Sequence, residues 1–248
     1  MIEPFFFKQD LLFGCYHPAV DFDSSRLLII CPPFFDDYRR SYRALSILAN
    51  TCAEQGVHVL RFDYYGTGES QGLLDDASVD GWKDDIYAAI EEGIALSGAG
   101  EVVVLGIRFG ATLAAQVVHP KISRYLFWDP VTSGIVYLEW LDTVNNILKQ
   151  QHRELALNAR VPFESMSYEN FHITSALKNE ISSLVFNPTV HGKEEESFII
   201  TTDQSVSDAK MYSHCEFPGL HYDWPAYHDG IFLPSPVLEA LARRVISR

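Results

Sequence analysis

Val102-Val103-Val104-Leu105-Gly106-Ile107-Arg108-Phe109-Gly110-Ala111-Thr112-Leu113-Ala114-Ala115 decides the fold of this 248-residue chain. The short apolar run at its start, rich in Val, reads as a buried strand. The small, Ala-rich run at its end favours helix. Between them lies Gly-x-Arg-x-Gly. A chain that passes from strand to helix in so few residues must turn sharply. Glycine on both sides of the turn lets the helix pack close to the strand. The residue at the apex is Arg108.

Working outward, the start predicts a hairpin: Phe5-Phe6-Phe7-Lys8, a polar turn at Gln9-Asp10, then Leu11 to Tyr16. Arg26 to Cys31 reads as a buried strand, stopped by Pro32-Pro33. Tyr42 to Glu54 carries Leu45, Leu48 and Ala49 at helical spacing, and Gly56 ends it. Val57 to Phe62 is the next strand. Trp82 to Leu96 is an amphipathic helix closed by Gly98 and Gly100, and Tyr125 to Trp128 is a strand after the sharp turn. Strands alternating with helices predict an α/β fold with a mostly parallel sheet. The alternation lapses between residues 131 and 190, which read as helices rich in Leu, Tyr and Phe. It resumes at Ser197 to Thr201, and Val237 to Ser247 is the last helix. The expected organisation is one core from 1–130 and 191–248, with 131–190 inserted as a helical lid. A helical excursion covering the sheet edge is the plainer alternative.

Composition agrees with one globular domain: 47% of residues are hydrophobic and 13% aromatic. A formal charge of −14 without a clustered basic face argues against nucleic acid or an anionic membrane as partner. Arg39, Arg40 and Arg43 stand beside Asp36 and Asp37, which reads as a solvated helix start. Met1-Ile2-Glu3-Pro4 has neither the positive region nor the apolar segment of a cleavable leader, and no run approaches the length of a membrane span. Cys15, Cys31, Cys52 and Cys215 lack metal-type spacing, so reduced thiols in a cytoplasmic protein are expected. There is no His-x-x-x-His pair, no Gly-rich phosphate loop with Lys and no Cys pair, so neither a metal nor an organic cofactor is expected.

Upstream of the turn, Asp63-Tyr64-Tyr65-Gly66-Thr67-Gly68-Glu69-Ser70 resembles the Asp-x-x-Gly-x-Gly-x-Ser segment that precedes the nucleophile elbow in many α/β-hydrolases, with Ser70 as a structural turn residue. Taken with the turn at Gly106–Gly110, nearly the whole chain resembles the serine aminopeptidase-like branch of that superfamily. Leu12 to Pro18, Pro32-Pro33-Phe34, Phe62 to Gly68 and Trp128-Asp129-Pro130 resemble a bacterial subgroup of small hydrolase-like proteins that accompany exosortase systems or secondary-metabolite gene clusters. Members of that subgroup can carry Arg in the elbow.

The resemblance implies an α/β-hydrolase fold with Arg108 in the nucleophile position, where Ser is usual. It implies an acid at Asp203, in Thr201-Thr202-Asp203-Gln204, and a histidine at His221, in Gly219-Leu220-His221-Tyr222. Asp129 is a second candidate acid, and His214 and His228 are rival histidines. Asp203 also suits the cap of a helix starting near Gln204. The oxyanion hole would use the backbone N–H of Phe109 and a second donor near Phe34. The inherited reaction class is ester, thioester or amide hydrolysis.

Arg108 cannot replace Ser. A guanidinium stays protonated at any working pH and has no nucleophilic lone pair. Three readings remain open. His221 with Asp203 acts as a general base on water or substrate, with Arg108 clamping a substrate carboxylate or phosphate. Or the protein binds an acidic or acyl small molecule without turning it over. Or Arg108 pairs internally with Asp203, Asp63 or Asp129, which closes the site and favours a structural role. Cys31, a candidate substitute nucleophile, suits a small buried apolar role better.

Overall fold

Eight strands and six α-helices organise the described residues of the computed structural model, which are 2–20, 24–159, 173–188, 197–201, 213–216 and 234–247. In chain order they are β1 (Glu3–Phe7), β2 (Leu12–His17), β3 (Arg26–Cys31), α1 (Phe35–Glu54), β4 (His58–Phe62), α2 (Val79–Ser97) and β5 (Glu101–Ile107). Then follow α3 (Phe109–Ala114), β6 (Ile122–Trp128), α4 (Gly134–Ala159), α5 (Ser175–Ser182), β7 (Ser197–Thr201), β8 (Ser213–Glu216) and α6 (Ser235–Ile246). The strands form one sheet in the order β1-β2-β4-β3-β5-β6-β7-β8. β2 runs antiparallel to both β1 and β4, and every pairing from β4 across to β8 is parallel. This is the α/β architecture expected from the alternation of strands and helices.

The central strands read as unbroken apolar runs because both of their faces are covered. Leu27, Ile29 and Cys31 of β3 join a core with Trp82, Ile86 and Ile90 of α2. Leu28 and Ile30 of the same strand join the opposite core, with Leu45 and Leu48 of α1 and Val237 and Leu241 of α6. The two-residue period of a strand sends neighbours to opposite layers, so each layer is filled from one contiguous sequence. β5 at the centre does the same with Val102 and Val104 on one side and Val103, Leu105 and Ile107 on the other.

Two local expectations need correction. α1 begins at Phe35 rather than Tyr42, and its first turn is not solvated: Asp36 and Asp37 are both buried. Asp37 faces inward toward the buried Arg108 guanidinium, whereas Asp36 pairs along the helix with the exposed Arg39. The turn after β4 behaves as expected. Ser70 Oγ donates to the Asp63 carbonyl at 2.6 Å and accepts the Phe13 N–H at 2.9 Å. Asp63 accepts the Tyr38 hydroxyl at 2.6 Å and the Glu69 N–H at 3.0 Å. Ser70 thus staples β2 to the loop after β4. α4 and α5 occupy part of the expected insertion, while residues 160–172 and 189–196 lie outside the described residues. No described helix is long and apolar enough to cross a membrane.

Gly110 fixes how closely α3 approaches the loop after β3, because a Cβ there would overlap the carbonyl oxygens of Pro32 and Cys31. Gly110→Ala should therefore lose about 2–3 kcal/mol of unfolding free energy in urea titration. Gly100→Ala, with nothing within 4 Å of the added carbon, should stay within about 0.5 kcal/mol of wild type. Equal effects at the two positions would contradict this account of the turn.

Candidate functional site

The candidate site lies at the carboxyl ends of β3, β5 and β6, where open α/β sheets commonly hold ligands. Arg108 occupies the sharp turn between β5 and α3 with φ 53° and ψ −122°. Positive φ is uncommon for a residue with a side chain. Two neighbouring loops carry the same feature: Phe35 after β3 has φ 56° and Asp129 after β6 has φ 43°. Three positive-φ residues thus meet on three converging loops; the other three among the described residues, Lys8, Gln9 and Asp10, form the turn between β1 and β2. The elbow is held by its neighbours. Arg108 donates its N–H to the Trp128 carbonyl at 3.0 Å, and its own carbonyl accepts from Ala111 at 3.0 Å and Val131 at 3.3 Å. Gly106 is required because a Cβ there would overlap the backbone of Ala111. The sharp strand-to-helix turn expected from the sequence is therefore present, with Arg108 at its apex.

The Arg108 side chain turns inward and is 7% exposed. Its Nε donates to Asp37 Oδ2 at 3.3 Å and its Nη1 donates to the backbone carbonyl of Asp129 at 3.3 Å. Asp37 is fully buried at 0% exposure. Burial pushes its carboxyl up to about 6, while the Arg108 guanidinium and, more weakly, Arg40 pull it down. Above that value the elbow holds a buried ion pair. Its net worth to folding is small, because desolvation of two charges offsets their attraction, but removing one partner strands the other.

Aromatic rings wall the same region. Phe34 stacks on Tyr64 at 4.5 Å, lies 4.5 Å from Trp82 and meets Phe109 edge-on at 5.3 Å. Phe109 stacks on Tyr137 of α4 at 5.1 Å, and Tyr137 stacks on Trp140 at 5.5 Å. The expected oxyanion-hole residues, Phe34 and Phe109, are thus brought side by side, Phe34 as the N-cap of α1 and Phe109 as the first residue of α3.

Arg108, Asp129, Phe34, Phe109, Gly106 and Gly110 converge at the site. Asp203, His221 and His228 lie outside the described residues. His214 lies in β8, with its backbone opposite Ile199. Asp63 is engaged by Tyr38 and Glu69 in its own turn. Cys31 is fully buried, and burial pushes its thiol well up, so it does not present a thiolate.

Two residues of the site were not singled out from the sequence: Asp37, the side-chain partner of Arg108, and Tyr137. Asp37 lies three positions after Phe34, within one helical turn of the expected oxyanion loop, and that proximity was the available signal. The surrounding Asp-Asp-Tyr-Arg-Arg run hid it by looking like solvent-facing charge.

Asp37 has a folded-state pKa above its ordinary value of about 3.9. Its contribution to stability is therefore full below that value and falls away as pH rises through about 6. Relative to Asp37→Asn, wild-type unfolding free energy should fall between about pH 4 and 6 and then level off. At pH 7.5, Asp37→Asn and Arg108→Gln should each cost about 3–5 kcal/mol, and the double variant should cost clearly less than their sum. Additive losses in chemical denaturation would deny the pair.

No protein-family model matches the chain, and no curated protein matches it. Solved structures do. A hypothetical protein from Pseudomonas aeruginosa shares 17% identity with a TM-score of 0.63, over 98% of this chain and 92% of that one. Est1E from Butyrivibrio proteoclasticus, with ferulic acid bound, shares 16% identity with a TM-score of 0.56, over 95% of this chain and 92% of that one. An α/β serine hydrolase without a lid from Xanthomonas campestris shares 13% identity with a TM-score of 0.56, over 99% of this chain and 93% of that one. At such identities the likeness speaks to architecture alone, and with the strand order and the elbow it shows that this chain has the α/β-hydrolase fold.

Proposed function

We propose that this protein is a hydrolase-like member of the α/β-hydrolase superfamily that binds an acyl-type small molecule at the elbow without ordinary serine chemistry. The observation that carries the absence of serine chemistry is Arg108 at the apex of the turn, paired with buried Asp37; that internal pair leaves the neighbouring aromatic rings, not the guanidinium, as the ground for an apolar ligand. The apex residue has no nucleophilic lone pair, and losing the nucleophile of a serine hydrolase costs roughly six orders of magnitude in turnover. The pairing also bears on the choice between an acidic and an acyl ligand. Asp37 already answers the Arg108 charge, so an arriving anion would meet a carboxylate as well as a guanidinium. The aromatic wall of Phe34, Phe109, Tyr137 and Trp140 suits an apolar chain. In this reading α4 and α5 belong to a lid over the site, the core is 1–130 with 191–248, and the setting is the cytoplasm.

A working enzyme is the competing reading, with His221 and Asp203 as general base and Arg108 as an anion clamp. Hydrolysis of short-chain nitrophenyl esters separates the two. Wild type should not exceed the uncatalysed background. Arg108→Ser alone strands the Asp37 carboxylate, so the informative variant is Arg108→Ser with Asp37→Asn. That variant should gain about a hundredfold or more over wild type, and His221→Ala added to it should abolish the gain. Wild-type turnover that requires His221 would instead establish a non-standard enzyme.

A further inference from the structure

Two of the most deeply buried polar atoms near the elbow have no hydrogen-bond partner: Asp37 Oδ1 and the Tyr137 hydroxyl. Asp37 is 0% exposed and Tyr137 is 2% exposed. Natural proteins rarely leave such groups unmatched, because each carries its full desolvation cost. The two belong to one place. Asp37 holds Arg108 at the elbow through its other oxygen. The Tyr137 ring stacks on Phe109, the residue next to Arg108. Among the charges acting on the Tyr137 phenol, Asp37 acts most strongly, ahead of Arg108 and Asp36.

The chemistry of the two atoms selects what would complete them. A carboxylate oxygen only accepts, whereas a phenol both donates and accepts. An ammonium only donates, so it would leave the Tyr137 hydrogen unmatched, and it would add a third cation to Arg108 and Arg40. A carboxylate or phosphate only accepts, so it would leave Asp37 Oδ1 bare and repel it. An alcohol does both: its hydrogen goes to Asp37 Oδ1 and its oxygen accepts from Tyr137. The carbon chain would run toward Trp140, the half-buried end of the ring stack in which Phe34, Phe109 and Tyr137 are fully packed.

Resting on the acyl-binding reading above, we propose that Asp37 Oδ1 and the Tyr137 hydroxyl form the polar end of the elbow site and recognise the hydroxyl of a neutral, hydroxylated acyl or alkyl molecule. The test is calorimetric binding of 1-hexanol and of its isomer pentyl methyl ether, which cannot donate a hydrogen bond, at pH 7.5, to wild type and to Tyr137→Phe. Wild type should bind the alcohol about tenfold more tightly than the ether. Tyr137→Phe should erase most of that preference without lowering Tm, since it removes a hydroxyl that has no hydrogen-bond partner among the described residues. Equal binding of the two probes to wild type overturns the hydroxyl assignment while leaving the apolar site standing. Binding of neither probe overturns it as well. So does a lowered Tm in Tyr137→Phe with the alcohol preference intact, because the hydroxyl is then satisfied inside the protein. Ester turnover by wild type defeats the non-catalytic reading separately, whichever probe binds.

Discussion

Everything at the candidate site depends on one backbone constraint, the reversal at Arg108. β5 delivers the chain to the carboxyl end of the sheet, and α3 begins after the single residue Arg108. Only a sharp, positive-φ turn joins them, and it stays put because the end of β6 and the loop after it grip it from both sides. Trp128 takes the Arg108 N–H, and Val131 donates to the Arg108 carbonyl. None of these bonds involves the Arg108 side chain. The shape of the turn therefore does not depend on the side chain at its apex, and backbone geometry and side-chain chemistry are separable properties there.

The side chain that did enter brings its own demand. A guanidinium this deep is tolerable only beside an anion, and Asp37 is placed for that by the first turn of α1. Replacing such a pair with well-packed apolar residues is often neutral or stabilising. Stability alone thus gives little reason to keep it. The pair instead locks three loops together: the start of α1 through Asp37, the elbow through Arg108, and the end of β6 through the Asp129 carbonyl. Two of the three hold a further residue in a positive-φ conformation, Phe35 and Asp129. A specific cross-link between strained loops is a reason for the pair that hydrophobic packing would not supply.

The fold was largely legible because its signals are periodic and local. Apolar runs such as Leu27 to Cys31 are long enough to fill both faces of a strand, and Gly56 and Gly98 punctuate helix ends with positive φ. Gly-x-Arg-x-Gly between strand and helix was legible for the same reason, since crowding at Gly106 and Gly110 is a local matter. The pairing at the site was not. Whether Asp37 faces solvent or Arg108 depends on a contact spanning 71 positions, and residue type alone favours solvent for an Asp beside two arginines. Tyr137 was hidden differently. It is one of several aromatics in the inserted stretch, and only the register of α4 against Phe109 distinguishes it.

That register follows from the aromatic cluster. Phe34 touches Tyr64, Trp82 and Phe109, so one ring from the loop after β3 ties together the loop after β4, α2 and α3. Tyr137 then joins through Phe109, with the two rings nearly parallel at 10°. A stacked phenol has little freedom in its ring plane, so its hydroxyl is fixed by contacts that are wholly apolar. The carboxylate of Asp37 is fixed just as firmly by Arg108. Two polar atoms held by independent means cannot relax toward each other to relieve their unmet hydrogen bonds. In the proposed reading, the cost of that preorganisation is recovered when a hydroxylated ligand of matching shape and polarity arrives. That rigidity is then what makes the site selective, while the chemistry of the guanidinium is what removes the nucleophile.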